Sequence, residues 1–153
     1  MEKRNEILKI LSAKLREIMS RTVIDYERLQ EIRLRVNEPF IVLAGGEEFF
    51  VSEKGGLEGQ AELGYIVKPR DIKETLEYIS SFSLYAYEDE IRQGFITVQG
   101  GHRIGLAGKV IMEQGKVRSV KNISFINIRM SHEKKGCGAK LLPYIYEHNN
   151  ICH

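Results

Sequence analysis

Long apolar runs are missing from this sequence. The longest clean one is Phe40–Ala44, far below the roughly 20 residues a membrane-spanning helix needs. The charged start, Met1 to Asn5, leads into no apolar stretch of the signal-peptide kind. Cysteine is scarce as well. Cys137 and Cys152 form no CxxC pair, and two cysteines among 153 residues make no disulfide framework. Together these absences point to a cytoplasmic chain. Catalytic signatures are lacking too: there is no GxSxG elbow and no HExxH. Histidines 102, 132, 148 and 153 pair with no Cys or Asp at ligand spacing. His148 and Cys152 stand one helical turn apart, but two ligands make no zinc site.

The remainder is ordinary globular material, 42% hydrophobic and 29% charged, in the length range of one domain. A chain of this size buries about two thirds of its unfolded surface, so it needs no metal or disulfide to fold. Its charge is unevenly placed. Residues 1–90 carry 13 Lys and Arg against 18 Asp and Glu, whereas residues 91–153 carry 10 against 3. The basic second part points towards an anionic partner.

Hydrophobic spacing sets the elements. Ile7, Leu11, Leu15 and Ile18 recur at helical steps and predict one amphipathic helix over 3–20. That stripe packs on a core, or else docks a partner. Ile32, Leu34 and Val36 alternate with Glu31, Arg33 and Arg35, which predicts a half-buried strand with both arginines on one face. Gly45-Gly46 between two short apolar segments predicts a hairpin. Residues 53–63 read as a loop. Pro69 opens a helix to about residue 81, with Asp71 and Glu74 near its positive end. A second, short helix is expected over 84–93, with Leu84, Tyr87 and Ile91 inward, and ends at Gly94. A meander follows: 95–99, 102–112 after Gly100-Gly101, 116–120 and 124–130. A last helix is expected near Ala139–His148, with Pro143 early in it. The fold class is α+β: a mostly antiparallel sheet of about five to seven strands, helices on one face and an N-terminal helix before it.

The glycine-rich stretch Gly100–Val110 ends in Gly108-Lys109 and suggests a phosphate loop. It lacks the Walker pattern, since Arg103 stands where the first Gly belongs and Val110 where a Ser or Thr must follow the Lys. It reads as a strand, with Gly105 and Gly108 allowing a bulge. Arginines 33, 35, 103 and 129 on predicted strands are the stronger lead, together with Lys109. A guanidinium on a strand is rigidly held and takes phosphate bidentately. The rival is an arginine face paired with glutamates. Nucleic acid is a less favoured partner. Tyrosines 78, 85 and 87 fall on helices instead of adjacent strands, and no RNP-type motif is present.

Glu31–Val36, Tyr85–Thr97, Gly100–Gly108, Ile123–Met130 and Lys135-Gly136-Cys137 together resemble the N-terminal region of the stage III sporulation protein AA family. The resemblance runs over nearly the whole chain. It implies an ATPase of endospore formers similar to the motor ATPases of type II and type IV secretion systems. That ATPase would form hexamers, power the mother cell–forespore channel and have the channel's membrane proteins as partners. The family's Walker A loop would follow soon after residue 153, with Ile151-Cys152-His153 resembling the start of its strand. The chain would then be a single N-terminal domain over 1–153, not an enzyme and without a cofactor of its own. ATP and Mg would bind in the full-length protein, which would lie in the mother-cell cytoplasm against the channel. Arg33, Arg35, Arg103 and Arg129 are the candidates to reach its phosphates. The alternative is a nucleic-acid-binding module that uses the basic 91–153 part.

Overall fold

Period-two alternation dominates the middle of the chain, and it becomes a single sheet. A computed structural model describes residues 2–85, 89–90, 93–113 and 116–132, with side chains of 109–122 outside the description. The elements are α1 (Glu2–Leu8), α2 (Ala13–Arg21), β1 (Leu29–Arg35), β2 (Ile41–Ala44), β3 (Glu47–Val51) and β4 (Leu57–Glu58). A 3-10 turn (Ala61–Leu63) comes next. It is followed by α3 (Pro69–Ser81), β5 (Phe95–Thr97), β6 (Arg103–Glu113) and β7 (Lys116–Arg129). The seven strands lie in the order β4-β3-β2-β1-β7-β6-β5, and every pairing is antiparallel. The α+β expectation therefore holds. The expected Ala139–His148 helix, Tyr87, Ile91, Cys137 and Cys152 lie outside the described residues.

One row of side chains explains the core. Ile96, Ile104, Ile128, Ile32 and Val42 are cross-strand partners in sequence across the sheet, and all five are fully buried. Each such burial stabilises by about 1.5–3 kcal/mol. The helices cover this face through Ile7, Leu15, Ile18, Ile72 and Ile79, and Leu11 joins them from the turn between α1 and α2. The predicted 3–20 helix is in fact two helices. Ser12 breaks it, because its hydroxyl caps α2 by accepting from the Leu15 N–H at 3.2 Å. Arg16 reaches back to the carbonyls of Leu8, Lys9 and Leu11 at the end of α1.

Three further expectations are corrected. The loop over 53–63 holds β4 and the 3-10 turn. Of the expected 84–93 helix, residues 89–90 and 93 are helical, but residues 84–85 are not, and Leu84 points out at 53% exposure. Residues 116–120 and 124–130 belong to one strand, β7, because β6 pairs along its whole length. The bulge expected near Gly108 is present, as a register shift between Ala107 and Lys109. Both Gly-Gly hairpins form, with Gly45, Gly46, Gly100 and Gly101 all at positive φ. β1 follows β7 from Arg129 to Phe125, and the Val36 N–H reaches the Ser124 carbonyl. Past that point, among the described residues, β7 pairs with β6 alone as a two-stranded ribbon.

A buried carboxylate ties the helical layer together. Asp71, 2% exposed, accepts from the Ser12 hydroxyl at 2.8 Å, the Tyr65 hydroxyl at 2.6 Å and the Lys68 N–H at 3.0 Å. The Ser12 N–H in turn donates to the Thr75 hydroxyl at 2.9 Å. Burial, followed by the bond to Asp71 and its charge, pushes the Tyr65 phenol well above the ordinary tyrosine range. Asp71→Ala strands these donors in a dry site. It is expected to lose about 2–4 kcal/mol of stability, read as a lower midpoint in urea unfolding. An unchanged midpoint would show that the three bonds carry no net stabilisation.

Candidate functional site

Alternation sends the other half of each strand to the opposite face. Glu31, Arg33 and Arg35 of β1 stand beside Arg129, Asn127 and Phe125 of β7. Next along are Arg103, Gly105 and Ala107 of β6, then Thr97 and Phe95 of β5. The four strand arginines singled out in the sequence thus share one face. No described helix covers it, and Glu31, 6% exposed, is its one buried member among the described residues.

The arginines divide into two kinds. Arg33 and Arg129 are held by Glu31. Arg33 Nε lies 2.6 Å from Glu31 Oε2, and its Nη1 lies 3.1 Å from Glu48 Oε2. Arg129 Nε lies 3.3 Å from Glu31 Oε1, which also accepts from Asn127 Nδ2 at 3.0 Å. Burial would raise the Glu31 carboxyl. The bonds from Asn127, Arg33 and Arg129 outweigh that and hold it below its ordinary value. Arg35 and Arg103 are different. Their guanidiniums lie 5.1 Å from the Phe125 ring centre and 4.8 Å from that of Phe95. Neither has a carboxylate partner among the described residues. A cation oriented by a ring, with no carboxylate beside it among the described residues, is placed to meet an anion. Sequence reasoning missed the two phenylalanines as orienting groups. The signal was present, since Phe125 alternates with Asn127 and Arg129.

The other sequence candidates fall elsewhere. Lys109 lies just past the bulge, and its side chain is outside the described residues. Ile7, Leu11, Leu15 and Ile18 are fully buried, so the docking version of that stripe is corrected: to dock a partner, both helices would have to leave the sheet. His102 is buried with both ring nitrogens in use. Nδ1 accepts from the Ser131 N–H at 2.9 Å, which puts the proton on Nε2, where it donates to Glu6 at 2.9 Å. His132 accepts from Lys3 at 2.8 Å and donates to the Leu29 carbonyl at 2.5 Å. These contacts fasten α1 to the sheet. No group of three or more His, Cys, Asp or Glu side chains converges as a metal site among the described residues.

Fold and face define a mostly antiparallel α+β domain with an open, arginine-bearing sheet surface. The family model described as Sporulation stage III, protein AA matches residues 1–153, and the chain belongs to this family. It is 32% identical over 146 residues to stage III sporulation protein AA of Bacillus subtilis (strain 168), covering 95% of this chain and 44% of that relative. The chain therefore spans less than half the relative's length. No helix among the described residues is long and apolar enough to cross a membrane.

Two pH windows follow from the buried groups. Burial, against the pull of Glu6, lowers His102 from its ordinary 6.5, so the unfolded chain takes up that proton first. Its contribution is full above about 6.5 and is lost as pH falls below it. Glu31 is lowered from 4.5, so its contribution is full above about 4.5 and is lost as pH falls through the folded value. Denaturant stability measured against pH should fall in both windows. His102→Gln should flatten the first and Glu31→Gln the second. A slope that persists in either variant would assign that window to another group.

Proposed function

We propose that this chain is the N-terminal domain of a sporulation ATPase and that its open sheet face closes on nucleotide bound by a neighbouring ATPase domain. One observation carries the reading: among the described residues, Arg35 and Arg103 are held by rings on a face that no helix covers, and neither has a carboxylate partner. Family membership gives the sporulation context, and a relative more than twice as long leaves room for a second domain.

In this reading the ATPase domain holds ATP and Mg2+, and this chain supplies only positive charge. Arg35 and Arg103 meet the phosphates. Glu31, by holding Arg33 and Arg129, keeps the surrounding face in shape. To move at all, the domain must grip the triphosphate state more tightly than the diphosphate state. A tenfold difference in grip corresponds to about 1.4 kcal/mol, within reach of one charge-assisted hydrogen bond. A hexameric ring in the mother-cell cytoplasm would pass that motion to the membrane proteins of the channel.

The test uses the protein extended through the segment its relative has beyond the match. Arg35→Ala and Arg103→Ala should each lower ATP turnover by about tenfold or more, since an arginine on a transferring phosphate has a large effect. Arg33→Ala, already committed to two glutamates, should stay within about twofold. Full turnover in both of the first two variants would end the reading.

A further inference from the structure

The open face holds more than cations. Phe95 on β5 pairs across to Gly105 on β6, and Gly105 pairs to Asn127 on β7. Phe125 stands two residues along β7, opposite Ala107. The two rings therefore flank a trough floored by small residues. Among the described residues, nothing lies within 4 Å of where a Cβ on Gly105 would stand. Asn127 Oδ1 is buried beside it, with no hydrogen-bond partner among the described residues. Its amide cannot simply be reversed, because Nδ2 is committed to Glu31. Each ring is paired with an exposed arginine.

We propose that this trough is a platform for single-stranded nucleic acid, with bases stacking on Phe95 and Phe125 and phosphates meeting Arg35 and Arg103. Interleaved aromatics and cations on adjacent strands are what sequence-tolerant binding of unpaired bases requires. The tyrosines do not provide this interleaving, but the phenylalanines do. Spacing selects a chain of nucleotides over a single one. Two strand separations and a two-residue offset put the rings about 12 Å apart, too far for one base to cover both. A duplex hides its bases and gains nothing from the rings. Because the same arginines serve the proposed nucleotide-facing role, a bound strand would hold the domain off the ATPase site and act as a competitor of closure. The platform itself needs no ATPase domain.

The test is fluorescence anisotropy on the chain alone, with a labelled 15-mer of deoxythymidine, the matching duplex, inorganic polyphosphate and ATP as probes. The single strand should bind, and should weaken about tenfold between about 50 and 200 mM salt if two or three phosphates are met. Phe95→Leu and Phe125→Leu keep apolar bulk and remove the ring. Each should weaken the 15-mer by about fivefold or more and leave polyphosphate unchanged. Three outcomes would overturn the proposal: no binding of the strand at about 50 mM salt, duplex or ATP binding as tightly as the strand, or Leu variants that bind it like the parent. None of these bears on ATP turnover in the Arg35 and Arg103 variants, so the two readings fall separately.

Discussion

Burying a carboxylate between two helix starts demands donors, and three segments converge on Asp71 to supply them. The Ser12 hydroxyl, the Tyr65 hydroxyl and the Lys68 N–H all end there. These bonds fix the start of α2 against the start of α3, and both against the chain entering α3. The helix break at Ser12 follows from this. A continuous helix would satisfy the Ser12 N–H internally; here it is given to Thr75. With the helical layer pinned, its apolar residues can cover only the Ile96–Ile104–Ile128–Ile32 row. Among the described residues, no helix lies over the other side of the sheet.

The bare side is organised by a second buried carboxylate, used differently. Asp71 binds neutral donors and acts within the fold. Glu31 binds two guanidiniums and an amide, and so decides which arginines remain available. A count of positive charge on this face would treat its four strand arginines alike. The ion pairs neutralise Arg33, share Arg129 and leave Arg35 and Arg103 to their rings. An exposed ion pair contributes little, but one with a nearly buried carboxylate member holds geometry, because neither group can be left alone without a penalty.

Much of the sheet could be read directly. Alternation around Glu31–Val36 and 124–130 located β1 and much of β7, and placed Arg33, Arg35 and Arg129 outward. The paired glycines marked the turns, since few other residues adopt positive φ. Pro69 marked a helix start. What stayed hidden depends on partners far away in the chain. The Ser12–Asp71 bond joins residues 59 apart and the Asn127–Glu31 bond residues 96 apart. Asp71 looked like a helix-dipole residue, and the apolar stripe ran through Ser12 without a pause. The polar stretch Lys121-Asn122 looked like a strand end, yet β7 runs through it, paired with β6. Family likeness named the context. It could not sort the four arginines, which depends on the rings and carboxylates beside them.

The β6–β7 ribbon, where β7 runs past the reach of β1, has a mechanical meaning. Two strands without a third are marginal in water, and among the described residues this ribbon has no third strand beside it. Backbone hydrogen bonds across a ribbon resist being pulled apart together far better than they resist bending or twisting. Such an arm conforms to what it touches and conveys tension along its length, with little torque.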